Sequence, residues 1–209
     1  MVFFMVVISQ YYYQILNYVT PIVSASCNRE FIQHSQNTVQ WSGVLLSGAE
    51  MPTVCSLSPK DGAILVASFT HEIERAMSNN LHPHDFQSYS LYKQASHIRS
   101  SEIMADIMVK LKIPAEIANE IIKIIKNSAS LADCDEKTLI VREADALSFF
   151  SLSLPFFFVH RLSDKVLQDI CAWEFKKLTP RARKHLSRLK FTDLRLKYYV
   201  NAMFSEVFA

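Results

Sequence analysis

The chain has 209 residues, half of them hydrophobic and a fifth charged, with only three glycines. That length can bury one sizeable core, the scarcity of glycine excludes a sheet protein full of tight turns, and a net charge of +2 is too mild to imply a nucleic-acid partner from bulk electrostatics. The four cysteines, Cys27, Cys55, Cys134 and Cys171, are far apart and form no CxxC pair, which fits a reducing, cytoplasmic compartment.

The opening "MVFFMVVISQYYYQILNYV" begins as an apolar run, but it has no basic leader, and Ser9 and Gln10 end it far short of the ~20 residues that span a bilayer. A packed first helix is predicted there, not a membrane anchor. In "REFIQHSQNTVQWSGVLL" the bulky positions Phe31, His34, Thr38, Trp41 and Leu45 recur at helical spacing, so His34 lies on the apolar face, and Gly48 is the stop. "SPKDGAILVASFTHEIERAM" gives one stripe of Ile64, Ala67, His71 and Arg75 with Leu65, Ser68 and Glu72 beside it, which predicts a buried helix carrying His71 and Glu72. "NNLHPHDFQSY" is a loop broken by Pro83, and a long helix with His97 follows from about Ser90 to Leu111. Pro114 suits the first turn of "PAEIANEIIKIIKN", whose Ile117, Ile121, Ile124 and Ile125 form one apolar stripe. "SASLADCD" reads as a loop, and "EKTLIVREADALSFF" is helical and carries Asp145. Beyond Pro155, Ser163 and Thr179 read as the N-caps of two further helices. The fold class predicted is all-α, a single helical domain over 1–209.

Five polar side chains, His34, His71, Glu72, His97 and Asp145, fall within predicted helices among apolar neighbours. A bundle can aim all five at one point. Imidazoles and carboxylates gathered that way suit a divalent transition metal, whereas burying several of them without an ion is costly. Taken singly each has a plainer role: a hydrogen-bonded core histidine, an exposed Glu72, or an Asp145 paired with Arg142 along its helix.

The order His34, His71-Glu72, His97, Asp145 resembles the HD-domain superfamily of metal-dependent phosphohydrolases, over roughly residues 30 to 155. "HSQNTVQW" looks like the helix of the first histidine, "AILVASFTHEIERA" like the dyad helix, and "EADALSFF" like the helix of the last aspartate. The match is closest to a branch with an "IERA"-like sequence after the dyad and a "Y..YK..H..RS" helix, here "SYSLYKQASHIRSSEI". The resemblance implies an HD-like core at 30–155 between an N-terminal helix or extension at 1–29 and C-terminal helices at 156–209. It also implies hydrolysis of a nucleotide or similar small phosphate ester by a metal-bound water. His34, His71, Glu72 and Asp145 would be the metal ligands. His97 would be a ligand to a second ion or a contact to the scissile phosphate, with Arg99 near it as a second catalytic group. Arg75, Lys93 and Arg142 are candidate contacts to the substrate phosphate. The cofactor would be one or two divalent ions of manganese, iron, zinc, nickel or cobalt, and the partner a small phosphorylated substrate or ligand. Two departures stand out: the dyad has Glu72 where the family has aspartate, and Asn127 stands about where two-metal members carry a further histidine. They keep open a degenerate, non-hydrolytic domain that binds a ligand or partner.

"LHPHDF" contains a literal His84-Asp85 dyad with His82 nearby, but Pro83 and its polar flanks place it in a surface loop. The stretch 175–190, "FKKLTPRARKHLSRLK", holds seven Lys or Arg and no acid. It reads as the solvated face of a helix whose Leu178, Leu186 and Leu189 pack inward, and without interleaved aromatics no nucleic-acid partner is expected.

Overall fold

A computed structural model describes residues 10–26, 28–48, 61–160 and 163–204. The apolar start at 1–9, Cys27 and Cys55 lie outside those residues. The described chain is helical with no strand. No helix among the described residues is long and apolar enough to cross a membrane.

Helix α1 (Gln10–Ser24) buries Tyr12, Ile15, Val19 and Val23, a stripe at helical spacing. It lies on the start of α3 (Gly62–Thr70) so closely that a Cβ at Gly62 would fall 2.2 Å from Cδ2 of Tyr12. A side chain there would push the two helices apart, which is why the position needs glycine. Helix α2 (Arg29–Ser47) starts where the Asn28 side chain accepts a hydrogen bond from the Phe31 N–H at 3.1 Å. It stops at Gly48, whose left-handed φ of 69° lets its N–H reach the Val44 carbonyl.

Helix α4 (Tyr89–Lys110) is capped by Ser88 and runs beside α5 (Ala115–Ser128), whose Ile121, Ile124 and Ile125 face the core. Helix α6 (Glu136–Ser148) is capped by Asp135 and packs against α2, α3 and α5, which makes it the central element. It passes through one wide π turn, Phe149–Ser153, into α7 (Leu154–Val159). Asn37 and Trp41 of α2 both donate to the Ser151 hydroxyl, at 2.8 and 3.1 Å, and pin that turn in place. The C-terminal helices α8 (Asp164–Lys176) and α9 (Pro180–Leu186) are capped by Ser163 and Thr179, and α10 (Leu194–Met203) closes the described chain. Phe31, Trp41, Ile64, Ile73, Met104, Leu147 and Phe150 fill the core between these helices.

The dyad helix is shorter than its apolar pattern predicts. It ends at Thr70, His71 occupies the C-cap position, and Glu72 precedes a short 3-10 turn, Ile73–Ala76. The His71 ring explains the stop: its Nδ1 lies 2.9 Å from the Ser68 carbonyl, so the side chain takes an acceptor near the end of the helix. His71 and Glu72 are buried as expected, but a turn presents them rather than a helical face.

Candidate metal centre

The site is built where α2, the end of α3, α4 and α6 meet. His34 comes from the apolar face of α2, His71 and Glu72 from the turn after α3, His97 from α4, and Asp145 from α6. All five are at least 97% buried. Asp145 Oδ1 lies 2.9 Å from His34 Nε2 and 3.3 Å from His71 Nε2. Glu72 Oε2 stands 3.9 Å from His34 Nε2. The His71 ring sits between the other two imidazoles, 5.5 Å from His34 and 5.3 Å from His97 by centroids.

Two overlapping groups of these residues could hold a metal ion: His34, His71 and Asp145, and His71, Glu72 and His97, each with donor atoms within 4.8 Å of one another. Bonds of ~2.0 to 2.2 Å to one ion put neighbouring donors ~2.8 to 3.6 Å apart in octahedral or tetrahedral geometry. The 2.9 and 3.3 Å separations from Asp145 Oδ1 fall in that range. The far nitrogens are fixed as ligands require. His34 Nδ1 faces the Ser148 hydroxyl at 3.0 Å, His71 Nδ1 the Ser68 carbonyl, and His97 Nδ1 the Ser128 hydroxyl at 2.9 Å. The His97 Nε2 atom is buried with no hydrogen-bond partner. An unpaired buried nitrogen is costly, and a ligand to it removes the cost.

Cations surround the two carboxylates. Lys93 Nζ lies 2.5 Å from Glu72 Oε1 and 3.3 Å from Asp145 Oδ2, and Arg75 Nη1 lies 2.8 Å from Glu72 Oε2. Lys177 Nζ lies 2.7 Å from Asp145 Oδ2 and 2.8 Å from Glu174 Oε2. Arg75 also reaches Glu30 at 2.8 Å. Burial works against ionisation of Glu72, but Lys93 and then Arg75 hold its carboxyl well below the usual range. For Asp145, burial is outweighed by Lys177 and then Lys93 in the same way. Burial, with Lys93 and His71 adding to it, holds His97 well below its ordinary value, so it is a neutral imidazole at pH 7.

Among the other predicted residues, Arg75 and Lys93 border a small cleft of about 20 Å³ beside the cluster, with Glu30, Tyr89, Phe149 and Phe157. Arg99 is half-buried on α4 and does not line that cleft. Arg142 is not paired with Asp145; its Nη2 donates to the Ala132 carbonyl at 2.8 Å, and it faces a separate pocket of about 250 Å³ beside Asp133 and Cys134. Glu74, a possible partner for the nearby cations, instead accepts from the Leu81 N–H and the Ser96 hydroxyl. Asn127 is half-buried at the end of α5, next to the Ser128 that supports His97. His84 and Asp85 form a 3.4 Å pair with their side chains 79% and 55% exposed.

Sequence reasoning missed Glu30, Glu174 and Lys177. Glu30 lies one helical turn before His34, a spacing that could have flagged it. Lys177 sits inside the basic stretch read as solvated, yet its side chain is 0% exposed. No family model, curated protein or solved structure matches the chain.

Proposed function

We propose that the protein is a metal-dependent phosphohydrolase of the HD type, acting on a nucleotide or similar small phosphate ester. One observation carries the reading: His34, His71 and Asp145, far apart in sequence, bring donor atoms within 4.8 Å of one another, with Asp145 Oδ1 2.9 and 3.3 Å from the two imidazole nitrogens. A divalent ion there would lower the pKa of bound water from 15.7 toward roughly 7 and neutralise charge on a phosphoryl oxygen. His34, His71 and Asp145 would hold it, with Glu72 and His97 completing the site or holding a second ion. Arg75 and Lys93, at the cleft, are the cations that phosphate oxygens would meet first. Ser148 and Ser128 keep the His34 and His97 rings aimed inward.

The engagement of Glu72 supports a second reading, a degenerate domain that binds without hydrolysing. Both of its oxygens already face cations, Oε1 toward Lys93 and Oε2 toward Arg75. Elemental analysis of protein purified without added metal or chelator separates the two. The hydrolase carries near-stoichiometric transition metal and turns over some member of a panel of nucleoside mono-, di- and triphosphates and cyclic nucleotides with manganese, zinc, nickel or cobalt. Metal-free protein that stays inert across the panel and takes up no added ion returns the site to the second reading.

A further inference from the structure

The charges around the centre are unequal in number. Glu30, Glu72, Asp145 and Glu174 supply four carboxylates, and Arg75, Lys93 and Lys177 supply three cations. Within these ion pairs the carboxylates outnumber the cations by one, so a divalent ion added to them would leave one positive charge over. Without Lys93 the same ion pairs would leave two carboxylates unmatched, the complement of a divalent ion.

Lys93 is also the cation that touches both candidate ligand carboxylates. Its Nζ contacts Glu72 at 2.5 Å and Asp145 at 3.3 Å, whereas Arg75 reaches Glu72 from the Glu30 side and Lys177 reaches Asp145 from the Glu174 side. Lysine is rarely buried unless paired, and Lys93 is only 2% exposed. Its ammonium therefore lies where a positive charge is most stabilised, between the two acidic groups that a divalent ion would need.

We propose that Lys93 is the resident cation of this centre: its ammonium group neutralises Glu72 and Asp145 when no divalent ion is bound, and a divalent ion must displace it from them. The inference rests on the metal reading above and deepens it. Two consequences follow from the contacts. The metal-free chain keeps its fold because Lys93 occupies the cation position. Metal affinity in the wild type is weaker than the ligand set alone would give. The small cleft of about 20 Å³ bordered by Lys93 has room for a displaced ammonium.

Lys93→Met keeps the length of the apolar stem and removes the charge. Each carboxylate retains one cation in that variant, since Glu72 keeps Arg75 and Asp145 keeps Lys177. Lys93→Arg keeps the charge and is the companion variant. Manganese and zinc, each titrated alone into the full chain and followed by calorimetry, should bind Lys93→Met at least tenfold more tightly than wild type, with Lys93→Arg no tighter than wild type. The metal-free Lys93→Met chain should melt below wild type, and the same ions should raise its melting temperature by more. If Lys93→Met is unfolded without metal, the ions must restore its helical circular dichroism, and a chain that stays unfolded at millimolar ion overturns the inference. Equal or weaker metal binding by Lys93→Met, or tightening by Lys93→Arg to the same degree, overturns it and leaves the metal reading intact. No binding by wild type or Lys93→Met overturns both.

Discussion

The chain contains two histidine-carboxylate dyads, and their surroundings differ in every respect but composition. His71-Glu72 is at least 98% buried, at the junction of an α-helix and a 3-10 turn, with each side-chain polar atom of the pair held by a named partner. His84-Asp85 lies in a short exposed turn, where His84 stacks on His82 at 5.3 Å and faces solvent. Adjacent residue types do not make a site. A metal-competent group needs donors fixed before the ion arrives, and that fixing comes from burial and from partners on other helices.

The largest contrast should appear in stability. Asp145→Ala removes the acceptor shared by two imidazoles and two buried lysines, and should cost ~3–5 kcal/mol in urea denaturation. Asp85→Ala should stay within ~0.5 kcal/mol. Equal losses in the two variants would erase the distinction between the dyads.

Metal binding should divide them next. His71→Ala should abolish retention of a transition metal, together with the ~2.7 kcal/mol of added stability expected at an ion concentration 100 times the dissociation constant, while His84→Ala leaves both unchanged. Metal kept by the His71 variant and lost by the His84 variant would move the centre to the exposed turn.

Acid should sharpen the contrast further. His97 is held well below its ordinary 6.5, so its contribution to the metal-free fold is present above that value and is lost as pH falls through it. Glu72 and Asp145 are held well below 4.5 and 3.8, so theirs is present above those values and is lost as pH falls further. Urea midpoints should therefore decline from just under pH 6.5 and steepen below about pH 4.5, and His97→Gln should flatten the first part. A profile level between pH 7 and 5 would mean that His97 is not the neutral buried base described.

The smallest effect belongs to the surface. Lys123 and Asp135 form a 2.8 Å pair with side chains 62% and 40% exposed. Lys123→Ala should leave the urea midpoint close to that of wild type, and closer still at high salt. A larger loss would make exposed pairs weigh as much here as buried ones.

The helices were legible in the sequence because apolar spacing and caps carry the information locally. Ser163, Thr179 and Gly48 stand where such signals place them. The five polar positions were legible for a related reason: a polar side chain on an apolar stripe must go inward with it. The end of α3 was not, since it depends on the His71 ring reaching a carbonyl, a contact that periodicity cannot express. Lys177 was hidden more deeply. In a run of seven basic residues nothing local marks the one that enters the core, and only the placing of the α8–α9 junction against Asp145 of α6 decides it.

The π turn between α6 and α7 makes the centre sensitive to chain length. Its wide i→i+5 closure, Leu154 N–H to Phe149 carbonyl, carries Ser153 round to the Glu30 carboxylate, at 2.5 Å, while Ser148 stays on His34. Deleting either Phe150 or Leu152 would restore an ordinary helical turn and rotate all that follows by about 100°. Ser153 would swing off Glu30 and Phe157 off the cleft, although every side chain around the histidines remained present. Substitutions across the turn can be absorbed one side chain at a time, but a single-codon deletion there re-indexes the wall of the site at a stroke.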